Sequence, residues 1–523
     1  MFHSVMVAAV PEIYHRFAES NTWALLFPEI LVAVLSLVTL ADGLLVRRRT
    51  AAWYTPAMVK LFLLGLAGFS AWNAVSGRSV AGTAFAGLVA QQGWVTDAAR
   101  TFFLLTAFSV THLSEHYLKR RNLGRHEFHH LVLVATAAMM LLAQANHFVL
   151  FFLAIETVAV TLYVLVGYDR KNAFSLEAGV KYVISGGLAS ALLLAGIVLL
   201  HGAGGNPALN PAAATADMFR FDHLQDFLVQ LSQANAGHLP PVAIAGIALV
   251  LAGVAFKVGA FPFNVWIPDV YQGAPSPVTA FLAVGSKGAG VFALLALVAL
   301  PYAPFRDVSP VILAILAPIA ALTLIFGNIA ALGQNNVKRL MGLSGISHAG
   351  FLLIAVCATI TVTDPATRAF SILAIIAYLV VYLLASTLVF AVIGRVADDD
   401  ETGHHLHDYR RLYARNPVLA GLLATGIGSL AGIPPTLGFV TKLVVLILAF
   451  NAGLYGLFGI ALACVVAGVY YYFAWLREAF HRSKETEPVA PIALDGGSRI
   501  LLTVIATVLV FGFLIRLFCT AGL

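Results

Sequence analysis

Long apolar runs separated by short polar loops recur from one end of the chain to the other. A helix that spans a bilayer takes about 20 mostly apolar residues. On that measure the pattern predicts an all-α polytopic membrane protein of about fourteen transmembrane helices. They fall at roughly 23–45, 58–77, 97–117, 128–145, 147–168, 176–201, 240–273, 277–300, 309–332, 340–361, 367–395, 416–450, 452–476 and 499–519. Residues 80–95 are rich in Gly and Ala and read as a loop or a short re-entrant piece. The longest polar loop, 203–239, carries Asp217, Asp222 and Asp226 and is expected to hold a short amphipathic helix. Met1 to Ser20 has charges and no long apolar core, which is not the pattern of a cleavable signal peptide.

Two of these runs are too long for one straight helix. The stretch 240–273 contains Pro262 and Pro268, and 416–450 contains Pro434 and Pro435. Proline removes a backbone donor and clashes with the preceding turn. Non-helical backbone at membrane depth is tolerated only where protein or a water-filled cavity covers it. The broken spans are the seventh and the twelfth, so spans 4–8 and 9–13 read as two five-helix units. Five is odd, and the second unit is therefore inverted relative to the first, a recurrent transporter design with its site near the midplane. The resulting domains are 1–127 (helices 1–3), 128–300 (first repeat), 309–476 (second, inverted repeat) and 499–523 (helix 14).

Composition agrees with the pattern. The chain of 523 residues is 60% hydrophobic and 11% charged, against about 25% charged in a soluble protein. The formal charge of +6 does not point to nucleic acid, because the basic residues lie in short loops where topology accounts for them. Twenty of the 31 Lys and Arg residues fall on one side, called side A, among them Arg47, Arg48, Arg49, Lys119, Arg120, Arg121, Arg410, Arg411, Arg482 and Lys484. Seven, including Arg16, Arg100 and Arg516, fall on the opposite side B. Side A is then cytoplasmic, and both termini lie on side B. The cysteines Cys357, Cys464 and Cys519 sit inside apolar runs at no metal-ligand spacing.

Four lysines remain, and all fall inside spans: Lys181, Lys257, Lys287 and Lys442. A lysine at the bilayer centre costs about 2.5–3.5 kcal/mol on insertion scales. Lys181, near its helix end, is within reach of snorkelling. Lys287 is near the centre, Lys257 just precedes the break at Pro262, and Lys442 just follows the break at Pro435. One acid matches them, Glu156, midway along the fifth span. Paired buried charges lower each other's cost, and removing one strands the other. A lysine whose acid partner can approach or recede can load and release a proton near neutral pH. In this scheme Glu156 modulates Lys257 or Lys181, Lys287 passes the proton between half-channels, and Lys442 connects to the far side. Moving one charge against 100 mV takes about 2.3 kcal/mol, within reach of a buried ion pair in motion. Glu29 and Asp42, near the ends of the first span, are interfacial anchors or further members of the path. His147, His348 and Lys338, at span ends, either extend the path or serve as packing residues. No Cys or His cluster fits an iron–sulfur centre or haem, and no GxGxxG sits between a strand and a helix.

Several blocks, in order, resemble the subunit N family of proton-translocating NADH–quinone oxidoreductase (respiratory complex I), one of its antiporter-like membrane subunits. They are ANHFVLFFLAIETVAVTLYVLVGY (145–168), SLEAGVKYVISGGLASALLLAGIVLLHG (175–202), FKVGAFPFNVWIPDVYQGAPSPVTAFLAVGSKGAG (256–290), NVKRLMGLSGISHAGFLL (336–353) and SLAGIPPTLGFVTKL (429–443). With Pro28-Glu29-Ile30, the resemblance covers about 23–450. It implies an antiporter-like fold of fourteen helices and a cytoplasm-to-periplasm proton path driven by quinone reduction in neighbouring subunits. The family's membrane glutamate and lysines match Glu156, Lys181, Lys257, Lys287 and Lys442. The resemblance further implies a bacterial inner-membrane location and other complex I membrane subunits as partners. NADH and quinone are substrates of the whole complex, and this chain is expected to bind no cofactor and no metal. Subunits of multi-subunit cation/proton antiporters and of membrane-bound hydrogenases share the broken-helix lysines and stand as the alternative. A scaffold that only buries polar pairs is a third reading.

Overall fold

The computed structural model describes residues 22–45, 54–210, 217–397, 404–481 and 491–520, with side chains to 512. Arg16, Arg47, Arg48, Arg49, Arg482 and Lys484 lie outside the described residues, as do the side chains of Arg516 and Cys519. The chain is helical almost throughout. Its elements are α1 (Phe27–Leu45), α2 (Tyr54–Ser76), β1 (Ala81–Ala84), β2 (Val89–Gln92), α3 (Trp94–Arg121), α4 (His126–Leu142), α5 (Phe148–Val166) and α6 (Ala173–Gly204). There follow α7 (Phe221–Ala234), α8 (Pro241–Val258), α9 (Ile267–Gly273), α10 (Ser276–Phe281), α11 (Lys287–Val298), α12 (Ser309–Leu332), α13 (Val337–Thr361) and α14 (Pro365–Val396). The last are α15 (Leu412–Arg415), α16 (Pro417–Ala431), α17 (Leu437–Asn451), α18 (Tyr455–Ala479) and α19 (Gly496–Thr520). Among the described residues, ten helical stretches are long and apolar enough to cross a membrane.

Two stretches form the centre. Ser276–Val298, in which a π-turn at Leu282–Ser286 joins α10 to α11, and α13 are buried on every side. The helices around them present apolar side chains outward, such as Leu153 on α5, Leu188 on α6 and Val466 on α18. An outer helix facing lipid and an inner helix facing protein are equally apolar in sequence, so only packing separates them. The pairs α6 with α8 and α12 with α13 pack most extensively. Glycines allow the close approach: a Cβ on Gly196 would stand 2.6 Å from Val250 N, and one on Gly327 would stand 2.6 Å from Ser347 N.

Both predicted breaks are present, but glycine rather than proline ends the first helix of each. Gly259 (φ 81°) closes α8 and Gly432 (φ 80°) closes α16, each donating its N–H back to the last turn. Pro262 follows the first stop, and Pro268 opens α9, where its missing N–H has no helical partner to lose. Pro434 and Pro435 lie in the turn before α17. The freed backbone is satisfied by neighbours: Phe261 N–H donates to Thr323 Oγ1 on α12 at 2.9 Å.

Residues 80–95 form neither loop alone nor a re-entrant helix. β1 and β2 pair antiparallel, Ala81 opposite Gln92 and Ala84 opposite Val89. The hairpin docks on the α4–α5 connection, with Ala90 N–H donating to Gln144 O and Asn146 N–H to Leu88 O. Its strands are four residues long and lack the β-branched alternation that marks strands in sequence. The loop 203–239 does contain an amphipathic helix: α7 buries Phe221, Leu224, Phe227, Leu228 and Leu231 on one face.

Glu29 is not an interfacial anchor. It is buried in α1 and takes two hydrogen bonds from Arg100 of α3, Nε to Oε1 at 2.7 Å and an Nη to Oε2 at 3.1 Å. The same guanidinium donates to Asp97 Oδ1 at 3.0 Å and to Leu25 O at 2.6 Å. Gln144 donates to Glu29 at 2.6 Å, which ties the end of α4 into the cluster. Asp42 faces His126 at 3.6 Å. Cys357 and Cys464 are buried and free.

Candidate proton path

Lys257 occupies the last turn of α8, where the helix dipole favours a cation. It is buried, its Nζ has no hydrogen-bond partner among the described residues, and the ammonium lies 5.6 Å from the Phe256 ring centroid and 5.8 Å from that of Tyr163. Glu156, half-buried on α5, accepts a hydrogen bond from Ser190 of α6. Tyr163 meets Tyr182 edge-on, and Tyr182 stacks on Trp266 at 4.5 Å. These rings wall the lysine on the α5–α6 side.

Lys287 opens α11 directly after the π-turn and is 2% exposed. A π-turn shifts helical register by one residue and is frequent at functional positions. Gly290, three residues on and so on the same face, packs against α8: a Cβ there would stand 2.8 Å from Val258 N. The helices bearing Lys257 and Lys287 are therefore in direct contact. The Lys287 ammonium donates to the carbonyl of Gly345 on α13 and sits 5.1 Å from the Tyr382 ring centroid.

His348 packs against that same ring, 4.8 Å between centroids. Its Nδ1 is 2.8 Å from Tyr378 Oη and its Nε2 is 3.4 Å from Tyr472 Oη, which bonds Ser344. A small cavity joins His348 to Lys442, with Ser429 and Thr441 in its wall. Lys442, in the second turn of α17, donates to Leu430 O at 2.7 Å and Ala431 O at 3.0 Å. Those are the terminal carbonyls of α16, left without helical partners by the break. Lys257 and Lys442 thus both sit at the negative end of a half-helix.

Four of the five predicted residues, Glu156, Lys257, Lys287 and Lys442, fall along this line of polar groups. Lys181 stands apart from it. Its side chain is 45% exposed, and its Nζ pairs with Glu177 and with Asp269, each at 2.8 Å. It shares acids with the outer surface and not with Glu156. Lys338 is fully buried and donates to Ala274 O. His147 caps α5, its Nδ1 accepting from Val149 N–H at 3.1 Å while Nε2 faces Asp217 at 3.2 Å. Sequence reasoning missed the Gly345 carbonyl and Tyr378, Tyr382 and Tyr472. The available signals were a glycine three residues before His348 and two tyrosines spaced i,i+4 in an apolar run. Among the described residues, no group of three or more His, Cys, Asp or Glu could hold a metal.

Half-helices broken inside a bundle, each with a lysine at the break, define an antiporter-like membrane protein. Residues 145–468 match the family described as NADH:quinone oxidoreductase/Mrp antiporter, TM. The chain is 50% identical over 471 residues to NADH-quinone oxidoreductase subunit N 1 of Opitutus terrae, covering 90% of this chain and 89% of that one. A chain in respiratory complex I from Thermus thermophilus with bound aureothin is 29% identical with a TM-score of 0.69, over 92% of this chain and 96% of that one. A chain of the archaeal membrane-bound sulfane sulfur reductase has a TM-score of 0.75 at 21% identity, over 94% of this chain and 95% of that one, a likeness of fold alone. The chain belongs to the subunit N family of NADH–quinone oxidoreductase.

Gly345 gives a first test of the geometry. A Cβ there would stand 2.8 Å from Lys287 Nζ and 3.2 Å from Tyr382 Oη. The lysine is the flexible partner, so Gly345→Ala displaces the ammonium from its carbonyl without breaking the helix. NADH-driven proton translocation in inverted vesicles falls, while the amount of assembled protein on a native gel is unchanged.

Proposed function

We infer that the chain is a proton-translocating membrane subunit of an NADH–quinone oxidoreductase, with Glu156, Lys257, Lys287 and Lys442 carrying the proton. The observation that carries this reading is the set of three buried lysines on α8, α11 and α17, none of them in an ion pair among the described residues. Buried charges held for stability are paired. A buried ammonium held only by carbonyls and ring faces is placed where it can gain and lose its proton. The chain is one subunit of a multi-subunit complex in the bacterial inner membrane. Its neighbours supply the redox chemistry, and NADH and quinone are their substrates.

In this reading fourteen helices span the membrane. The ten long stretches are joined by α3, α4, the broken pair α16–α17, and α19. The repeats are 128–300 and 309–476, inverted about the midplane, with 1–127 and 499–523 flanking them. Support for the inversion comes from the stops at Gly259 and Gly432, five spans apart, each followed by a half-helix. The cytoplasm is side A, and both termini are periplasmic.

A proton reaching Lys257 from side A changes the balance between that lysine and Glu156. Lys257 passes it to Lys287 across the α8–α11 contact. His348 relays it past the Tyr382 ring to Lys442, which releases it toward side B. The cation/proton antiporter reading rests on the shared fold alone. The test is complementation of a strain lacking the chain. Glu156→Gln keeps the shape and hydrogen-bonding capacity of the side chain but removes its charge. NADH-driven proton uptake by inverted vesicles is then lost while NADH oxidation by a soluble artificial acceptor continues. Full proton uptake with Glu156→Gln would contradict the reading.

A further inference from the structure

Outside the lysine line lies a second ionic group, in a cavity of about 180 Å³ at the side A ends of α6, α9 and α13. Lys181 Nζ bridges Glu177, one turn before it on α6, and Asp269 on α9. Asp269 is also held by Arg339 of α13, Oδ1 to Nη at 2.6 Å, and the same arginine bonds Gln272 at 2.9 Å. Next to Arg339, Lys338 donates to Ala274 O at the end of α9. The short helix α9 is thus fastened to α13 by two basic residues, and to α6 by the Lys181 pair in its first turn and by Gly273 at its end, where a Cβ would stand 2.8 Å from that of Ala178.

The two fastenings differ in kind. Lys338 is fully buried, whereas Lys181 and Asp269 are 45% and 37% exposed. If the Lys181–Asp269 link opens, neither charge is stranded: Lys181 keeps Glu177 and Asp269 keeps Arg339. An exposed pair whose members both retain a partner separates far more easily than a buried pair broken by losing one member. What the link controls lies one residue inward. Tyr182 follows Lys181, and its ring stacks on Trp266, the residue that immediately precedes α9. Those rings, with Phe256 and Tyr163, form the wall beside Lys257.

We propose that Lys181 and Asp269 are positioning residues, a releasable ionic latch that keeps the Tyr182–Trp266 wall closed between Lys257 and side A. With the latch made, the wall is held against α6. With Lys181 turned to Glu177, α9 stays on α13 and, at Gly273, on α6, while the wall at its Trp266 end can part, so that Lys257 exchanges protons with side A. The latch gives Lys181 a role off the line of proton carriers. The inference rests on the proton-translocating reading above.

The test uses inverted vesicles carrying the intact complex, with protons moved per NADH oxidised as the readout and NADH oxidation by a soluble acceptor as the assembly control. Asp269→Asn and Lys181→Gln each lower the proton-to-electron ratio and leave the control unchanged. The double variant is no worse than either single one, because both remove one link. Asp269→Glu, which keeps the charge, restores the ratio. A wild-type ratio in Asp269→Asn, losses that add in the double variant, or an Asp269→Glu no better than Asp269→Asn would each overturn the latch alone. A wild-type complex that moves no protons through this chain would refute the underlying function, and the latch with it.

Discussion

Lys287→Met stops NADH-driven proton translocation and leaves the protein at least as stable as before. Lys287 is 2% exposed, and its ammonium donates, among the described residues, only to the Gly345 carbonyl and lies over the Tyr382 ring. Replacing a buried charge by an apolar side chain of similar volume is commonly neutral or stabilising by about 1–4 kcal/mol. Methionine is unbranched and flexible and fits the space the lysine stem occupies. Transport responds the other way. Without a group to host the charge at the centre, the proton meets a barrier higher by about 2.5–3.5 kcal/mol, roughly a hundredfold in rate. Vesicle pumping and the melting temperature of the purified complex check the two halves together. A scaffold that only buries polar groups predicts a change in stability with pumping intact.

Arg100→Ala has the largest expected effect on stability. The guanidinium satisfies Glu29 and Asp97 at once, and those two residues are 3% and 5% exposed. Its removal strands two carboxylates away from water, and breaking one buried pair in this way costs about 3–5 kcal/mol. Three elements separate with it: α1 through Glu29 and, in the turn before it, Leu25 O, α3 through Asp97, and the segment after α4 through Gln144. Thermal unfolding of the purified chain or complex measures the loss. Adding Glu29→Gln to Arg100→Ala recovers part of it, because one stranded charge is gone. An Arg100→Ala protein that melts with the wild type would show that the cluster is not a clamp.

The features most legible in the sequence are those where lipid forbids an ordinary choice. Lysines inside apolar runs, an acid among them and prolines at membrane depth are all conspicuous because each is costly, and Lys257, Lys287, Lys442 and Glu156 were singled out that way as candidates. Orientation around a helix was not legible. In lipid the outward face is as apolar as the inward one, so nothing in the run around Lys181 says that it turns outward to Glu177 and Asp269. Glu29, close to a span end, read equally as an interfacial anchor or a member of the path, because its partner Arg100 lies 71 residues away. The hairpin at 81–92 carries too little apolar alternation to announce strands. Gly345 acts through its carbonyl, which every residue possesses, so only the space left by a missing Cβ marks it. The glycines that close α8 and α16 were overshadowed by neighbouring prolines, although only a left-handed residue such as glycine can end those helices so sharply.

The most direct test of the central claim is to tag the chain, extract it from membranes in a mild detergent, and identify what purifies with it. Recovery with iron–sulfur and flavin subunits, together with inhibitor-sensitive NADH:quinone activity, is the predicted result. Recovery with only other antiporter-like membrane subunits, and no NADH activity, would contradict the account and leave a cation/proton antiporter.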